Sequence, residues 1–154
     1  MLLTPLLRAG GILYDVTGAT KSAVLRTLVA RIPLPATSDR AALLAALEAR
    51  EAAGSTGIGD GIAIPHVSDP LTARIDAPFV TFALLGEPVE FDASDGARVH
   101  AIILPMSSAR PTHLAILGQL GFVLRDLALR DALRSRAPEA EIFARLQWLE
   151  QATQ

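Results

Sequence analysis

The segment from Arg50 to His66 reads Arg-Glu-Ala-Ala-Gly-Ser-Thr-Gly-Ile-Gly-Asp-Gly-Ile-Ala-Ile-Pro-His. It sets one imidazole at the end of a short apolar stretch, behind a loop carrying Gly54, Gly57, Gly59 and Gly61. An unperturbed imidazole titrates near about 6.5, so a neutral, nucleophilic ring nitrogen is abundant around neutral pH. Glycine frees the neighbouring backbone amides to turn toward an anion. A nucleophile beside an anion cradle suits phosphoryl relay, because a phosphorus–nitrogen bond to imidazole forms and breaks readily. Pro65 restricts the backbone before His66 and Ile62-Ala63-Ile64 can anchor it in a sheet, which preorganises the ring. A Pro-His pair in isolation would read as a polar strand terminus; the run that precedes it favours chemistry.

Helpers can be named by type and position. Arg50 falls in the last turns of a predicted helix, where it offers a fixed charge and forked donors to a phosphoryl group, or simply complements the helix dipole. Ser55, Thr56 and the amides of Gly57 and Gly59 suit phosphoryl binding, although a tight turn explains the glycines as well. His113 follows Pro111-Thr112 at a helix start and can face the same cleft or serve as an ordinary polar residue there. His100 lies inside a predicted strand and reads as structural.

Other chemistries find no support. Gly54–Gly61 is not followed by Lys-Ser or Lys-Thr as a P-loop requires, and its spacing misses the dinucleotide fingerprint, so no nucleotide cofactor is expected. Three histidines form no local ligand set, and no metal is expected. Ser55 and Ser107 lie in no nucleophile elbow. The chain has no cysteine, which excludes disulfides, thiolate metal sites and cysteine catalysis. A net charge of −2 with scattered charges disfavours nucleic-acid binding. The apolar opening Met1–Arg8 lacks the features of a signal peptide, and no apolar run approaches the roughly 20 residues of a membrane span. A soluble, cytoplasmic protein is expected.

The elements that position these residues are legible in the pattern. Ile12–Val16 reads as a strand, with Gly18 and Thr20 as turn and cap before a helix from about Lys21 to Arg31. Ser38-Asp39 announces a second helix ending near Gly54. Gly61–Ile64, Ala77–Leu85 and Val99–Leu104 read as strands, the last two as antiparallel neighbours, with Val89-Glu90-Phe91 as a short edge segment. Ile116 through Leu127 mark one helix opening near His113, and Ile142 through Leu149 the terminal one. With 154 residues, about half of them apolar, residues 1–154 are expected to form a single domain.

The Gly-Ser-Thr-Gly-Ile-Gly-x-Gly-Ile-Ala-Ile-Pro-His run resembles the phosphohistidine signature of enzyme IIA domains of the bacterial phosphotransferase system, in the fructose, mannitol and nitrogen-regulatory branch. The remaining segments occur in that family's order along nearly the whole chain. The resemblance implies an α/β fold with a mixed, parallel and antiparallel sheet flanked by helices on both faces. It implies that His66 accepts a phosphoryl group from the histidine phosphocarrier protein, with Arg50 and His113 beside it. The group would then pass to a cysteine-bearing enzyme IIB, or act as a signal read by a transporter or kinase. Where the family commonly has glycine and a basic residue after the histidine, this chain has Val67-Ser68-Asp69.

Overall fold

Strands β4 (Phe79–Val89) and β5 (Val99–Met106) form the antiparallel centre of the sheet, buried over nearly all their length. In the computed structural model, which describes residues 1–70 and 74–153, five strands align in the order β1-β4-β5-β3-β2. β1 (Ile12–Val16) pairs parallel with β4, β3 (Ile62–Ala63) pairs parallel with β5, and β2 (Gly57–Gly59) pairs antiparallel with β3. The sheet is therefore mixed.

Alternation along the strands sends side chains to two cores. Val80, Phe82, Leu84 and Ile103 face α1 (Leu3–Gly10), α4 (Arg110–Val123), α5 (Leu127–Arg134) and α6 (Glu139–Ala152). Ala83, Leu85, Ile102 and Leu104 face α2 (Lys21–Arg31) and α3 (Arg40–Ala53). With both faces covered, the central strands need an almost unbroken apolar composition.

Local rules set the helix boundaries. Thr20 accepts from the Ala23 amide at 3.1 Å and Asp39 from the Ala42 amide at 3.0 Å, each satisfying an otherwise unpaired first-turn donor. Gly54 ends α3.

The structure departs from the sequence reading in four places, the first being the glycine loop, of which Gly57–Gly59 forms β2. The apolar opening forms α1, whose first amides, of Leu3 and Thr4, are held by the Glu150 carboxylate from α6. Gly10 closes that helix where a Cβ would stand 2.0 Å from the Val80 carbonyl oxygen, so its bare backbone lets α1 lie on β4. β4 runs on through Gly86-Glu87-Pro88 to Val89, which pairs with Val99 across a register shift, so the expected edge segment is partly the end of a longer strand. The expected helix from His113 to Leu127 begins at Arg110 and breaks after Val123. There Asp126 accepts from the Leu129 amide at 2.8 Å and starts α5.

Candidate functional site

The glycine run folds as the small β2–β3 hairpin, with positive φ at Gly59 (93°), Asp60 (56°) and Gly61 (80°) making its turn. Three contacts pin that turn. The Asp60 amide donates to Asp95 Oδ2 at 2.8 Å, and the Asp60 carboxylate meets Arg134 at 2.8 Å and Arg130 at 3.3 Å. At Gly61 a Cβ would lie 2.2 Å from the His100 ring, so glycine is required by space as well as by φ.

From the hairpin the chain passes through Ile64 and Pro65 to His66, which is half-buried. His66 Nδ1 lies 2.8 Å from the Ile64 carbonyl oxygen. A carbonyl only accepts, so Nδ1 carries the proton and Nε2 the lone pair. Among the described residues no protein group bonds Nε2. Arg50, Ser55, Thr56, Gly57, Ile58, Ile64, His66 and Leu117 line one cleft of about 250 Å³.

The structure also brings His113 to His66, with ring centroids 5.7 Å apart and planes tilted by 48°. His113 is 5% exposed, and its Nδ1 is buried without a hydrogen-bond partner among the described residues. An orphaned buried N–H is costlier than an orphaned lone pair, so His113 carries its proton on Nε2, the nitrogen free to donate. Burial, then the influence of His66 and Arg110, holds His113 below the ordinary histidine range. The neutral ring is therefore the resting form.

The remaining candidates hold differing places. Arg50 is half-buried in the last turn of α3 and donates Nη1 to the Gly54 carbonyl at 2.7 Å, which leaves its other N–H groups for a ligand. The Ser55 hydroxyl donates to the Phe91 carbonyl at 2.5 Å and accepts from the Gly57 amide at 3.0 Å. The amide and hydroxyl of Thr56 go to Glu51. Gly59 sits at the far end of the hairpin, beside Asp95.

Residues 5–148 match the family described as phosphoenolpyruvate-dependent sugar phosphotransferase system, EIIA 2. The chain belongs to that family. It is 40% identical over 144 residues to the nitrogen regulatory protein of Pseudomonas aeruginosa, covering 90% of each chain. The crystal structure of nitrogen regulatory protein IIA-Ntr from Neisseria meningitidis superposes with a TM-score of 0.75 at 28% identity, over 88% of this chain and 92% of that one. The Escherichia coli complex of enzyme IIAMTL with phosphorylated enzyme IIBMTL shares the fold, with a TM-score of 0.69 at 21% identity over 88% of this chain and 93% of the matched one.

In this EIIA, two residues lining the cleft and one supporting it escaped the sequence reading. Leu117 lies four residues after His113, a spacing that puts both on one helix face and could have revealed it. Ile58, 44% exposed, was hidden among glycines. Glu51, next to Arg50, grips the loop from beneath. Val67, in the segment that departs from the family pattern, is buried with Ala63, Ile75 and Phe79, so its branched side chain serves the core. No single helix among the described residues is long and apolar enough to cross a membrane.

The site carries a pH signature. His113 and His100 both lie below the ordinary histidine value, in each case chiefly through burial. The unfolded chain therefore takes up protons from about pH 6.5 downward before the folded protein does. Their stabilisation is complete above that pH and is lost as pH falls through the folded values. Urea unfolding at about pH 7 and pH 5 should show falling stability, with a smaller fall in His113→Gln. Equal falls in both proteins would remove His113 as a source.

Proposed function

We propose that this EIIA takes a phosphoryl group on His66 Nε2 from the histidine phosphocarrier protein and passes it to an enzyme IIB or uses it as a regulatory signal. The observation that carries the reading is the bond from Nδ1 to the Ile64 carbonyl, which leaves Nε2 as the nucleophile in a cleft shared with Arg50 and beside His113.

The step balances within the two histidines. The Nε2 lone pair attacks phosphorus, a new nitrogen–phosphorus bond forms, and the donor's nitrogen–phosphorus bond breaks with its electron pair returning to the donor ring. Positive charge that develops on the His66 ring is stabilised at Nδ1–H by the Ile64 carbonyl, which needs no reorganisation to do so. The remaining Arg50 donors and the Nε2–H of His113 meet the phosphoryl oxygens. Ser55, Thr56 and Gly57 shape the wall that receives the group, since several of their own donors hold the loop together, while Gly59, at the far end of the hairpin, serves its turn. Ile58 and Leu117, which line the cleft, and the exposed Leu114, next in sequence to His113, give a docking protein apolar surface.

Donor-dependent labelling tests this. Intact protein incubated with purified upstream components is expected to gain one phosphoryl unit, mapped to His66 and labile in acid. No label, or a label on another residue, would remove the proposal.

The second reading is a regulator whose phosphorylation state alters its grip on a transporter or kinase, without onward transfer. The likeness to the Pseudomonas nitrogen regulatory protein over 90% of both chains favours it. Phosphorylation adds roughly −1.5 to −2 charges at the cleft, enough to switch an interface. Transfer of label to an enzyme IIB supports the first reading. Partners that bind the two phosphorylation states with different affinity, without accepting label, support the second.

A further inference from the structure

Glu51 lies in the last turn of α3, one residue past Arg50, with 6% of its surface exposed. A carboxylate so enclosed is costly unless its oxygens are paired. Three donors converge on them. The Thr56 amide approaches both oxygens at 3.3 and 3.2 Å, the Thr56 hydroxyl donates to Oε1, and Lys21 Nζ stands 3.3 Å from Oε2. Lys21 is itself held by Asp92 at 3.5 Å and lies over the Phe91 ring, 5.0 Å from its centroid.

The bonds continue from Thr56 toward the reacting ring. The Ile64 amide donates to the Thr56 carbonyl at 3.0 Å, and the Ile64 carbonyl accepts from His66 Nδ1 at 2.8 Å. Lys21, Glu51, Thr56, Ile64 and His66 thus form one unbroken series of polar contacts running from α2 to the cleft.

We propose that Glu51 is a positioning residue for His66. By gripping Thr56 it fixes Ile64, whose carbonyl holds the proton on Nδ1 and so keeps Nε2 bare. This rests on the reading of His66 as phosphoryl acceptor. Which imidazole nitrogen carries the proton is set by the bond the other makes, and an unrestrained ring favours the opposite tautomer, with the proton on Nε2. Releasing Thr56 would let that preference return and would withdraw the nucleophile. The need for a carboxylate follows from the donor count. A glutamine offers one acceptor oxygen and turns an NH2 group toward either Lys21 or Thr56.

The test reads the tautomer directly. In the unphosphorylated full chain, nitrogen NMR of His66 at a pH where the ring is neutral should show Nδ1–H predominating. Glu51→Ala is expected to shift the population toward Nε2–H and to slow phosphoryl uptake by about 10- to 100-fold, the scale typical of outer-shell partners. Lys21→Met, which leaves the cleft residues intact, and Glu51→Gln should shift it partway in the same direction. If Glu51→Ala does not fold, these two variants decide: an unchanged tautomer and rate in both overturns the proposal. A tautomer shift in a protein that takes up no phosphoryl group even as wild type would uphold the positioning role and defeat the acceptor role, so the two failures are distinct.

Discussion

Replacing His66 with alanine is expected to abolish donor-dependent phosphoryl uptake, by about 10⁴-fold or more, while leaving the protein folded. Removing the nucleophile removes the bond that forms in the transition state, and losses of that order or larger follow when a reacting group is deleted. The structural cost is small by comparison. His66 is half-buried and its ring makes one hydrogen bond among the described residues, to Ile64, worth about 1 kcal/mol. The neighbours should show a graded response. His113→Ala and Arg50→Met each delete donors to the transferring group, for which about 10²- to 10³-fold is the usual loss. Single-turnover transfer from labelled phosphocarrier, followed by gel or mass analysis, separates these magnitudes. A His66→Ala protein that labels at the wild-type rate would exclude the ring from the chemistry, whatever the other variants do.

Phe82→Ala is expected to cost about 3–5 kcal/mol, the range for deleting a buried aromatic side chain. Phe82 is fully buried at the middle of β4, where it pairs with Ile12 of β1 and Ile103 of β5 and packs in the core under α1, α4, α5 and α6. β4 itself is paired on both sides, by β1 and β5, and covered by helices on this face, so the space left behind cannot readily collapse. Against a total stability of about 5–15 kcal/mol, such a loss is a large share. At about 2–4 °C per kcal/mol for a chain of this size, the melting temperature should fall by roughly 6–20 °C. Trp148, 55% exposed and stacked on Arg145 at 4.1 Å, supplies the contrast. Its replacement by alanine should have a much smaller effect despite the larger side chain. Equal losses at the two positions in thermal and urea unfolding would contradict this account of the core.

Where local chemistry decides an element, the sequence and the structure agree closely. Ile12–Val16 and Lys21–Arg31 have the expected bounds, and Asp39 and Gly54 delimit α3 as their side-chain and backbone preferences dictate. The antiparallel pairing of β4 and β5 was also legible, from two apolar runs joined by turn residues. Long-range packing accounts for the misses. α1 depends on Glu150, 147 residues from Leu3, to hold its first amides. β4 overrides Gly86 and Pro88 because Val89 finds a partner in Val99. The break before Leu127 did have a local sign in Asp126, whose capping bond is reinforced by two Arg145 contacts at 2.7 and 2.8 Å.

The site divides in the same way. The Arg50–His66 run pointed to His66, Arg50 and the loop, but the proximity of His113 needed α4 to pack against β5, the strand that pairs with β3. The commitment of Ser55 to the Phe91 carbonyl, 36 residues away, was invisible for the same reason. The bonds from Thr56 to Glu51 and from Gly57 to Ser55 are local, but their geometry depends on how the loop leaves α3.

The β2 hairpin strand also forms one border of the sheet. It has three residues, Gly57, Ile58 and Gly59, the last at φ 93°. So short and bent a border presents too few aligned amides and carbonyls to recruit a foreign chain. The short hairpin that lines the candidate cleft thereby deprives fibril-like growth of a template. Insertions that lengthen and flatten this segment would endanger colloidal behaviour as well as turnover.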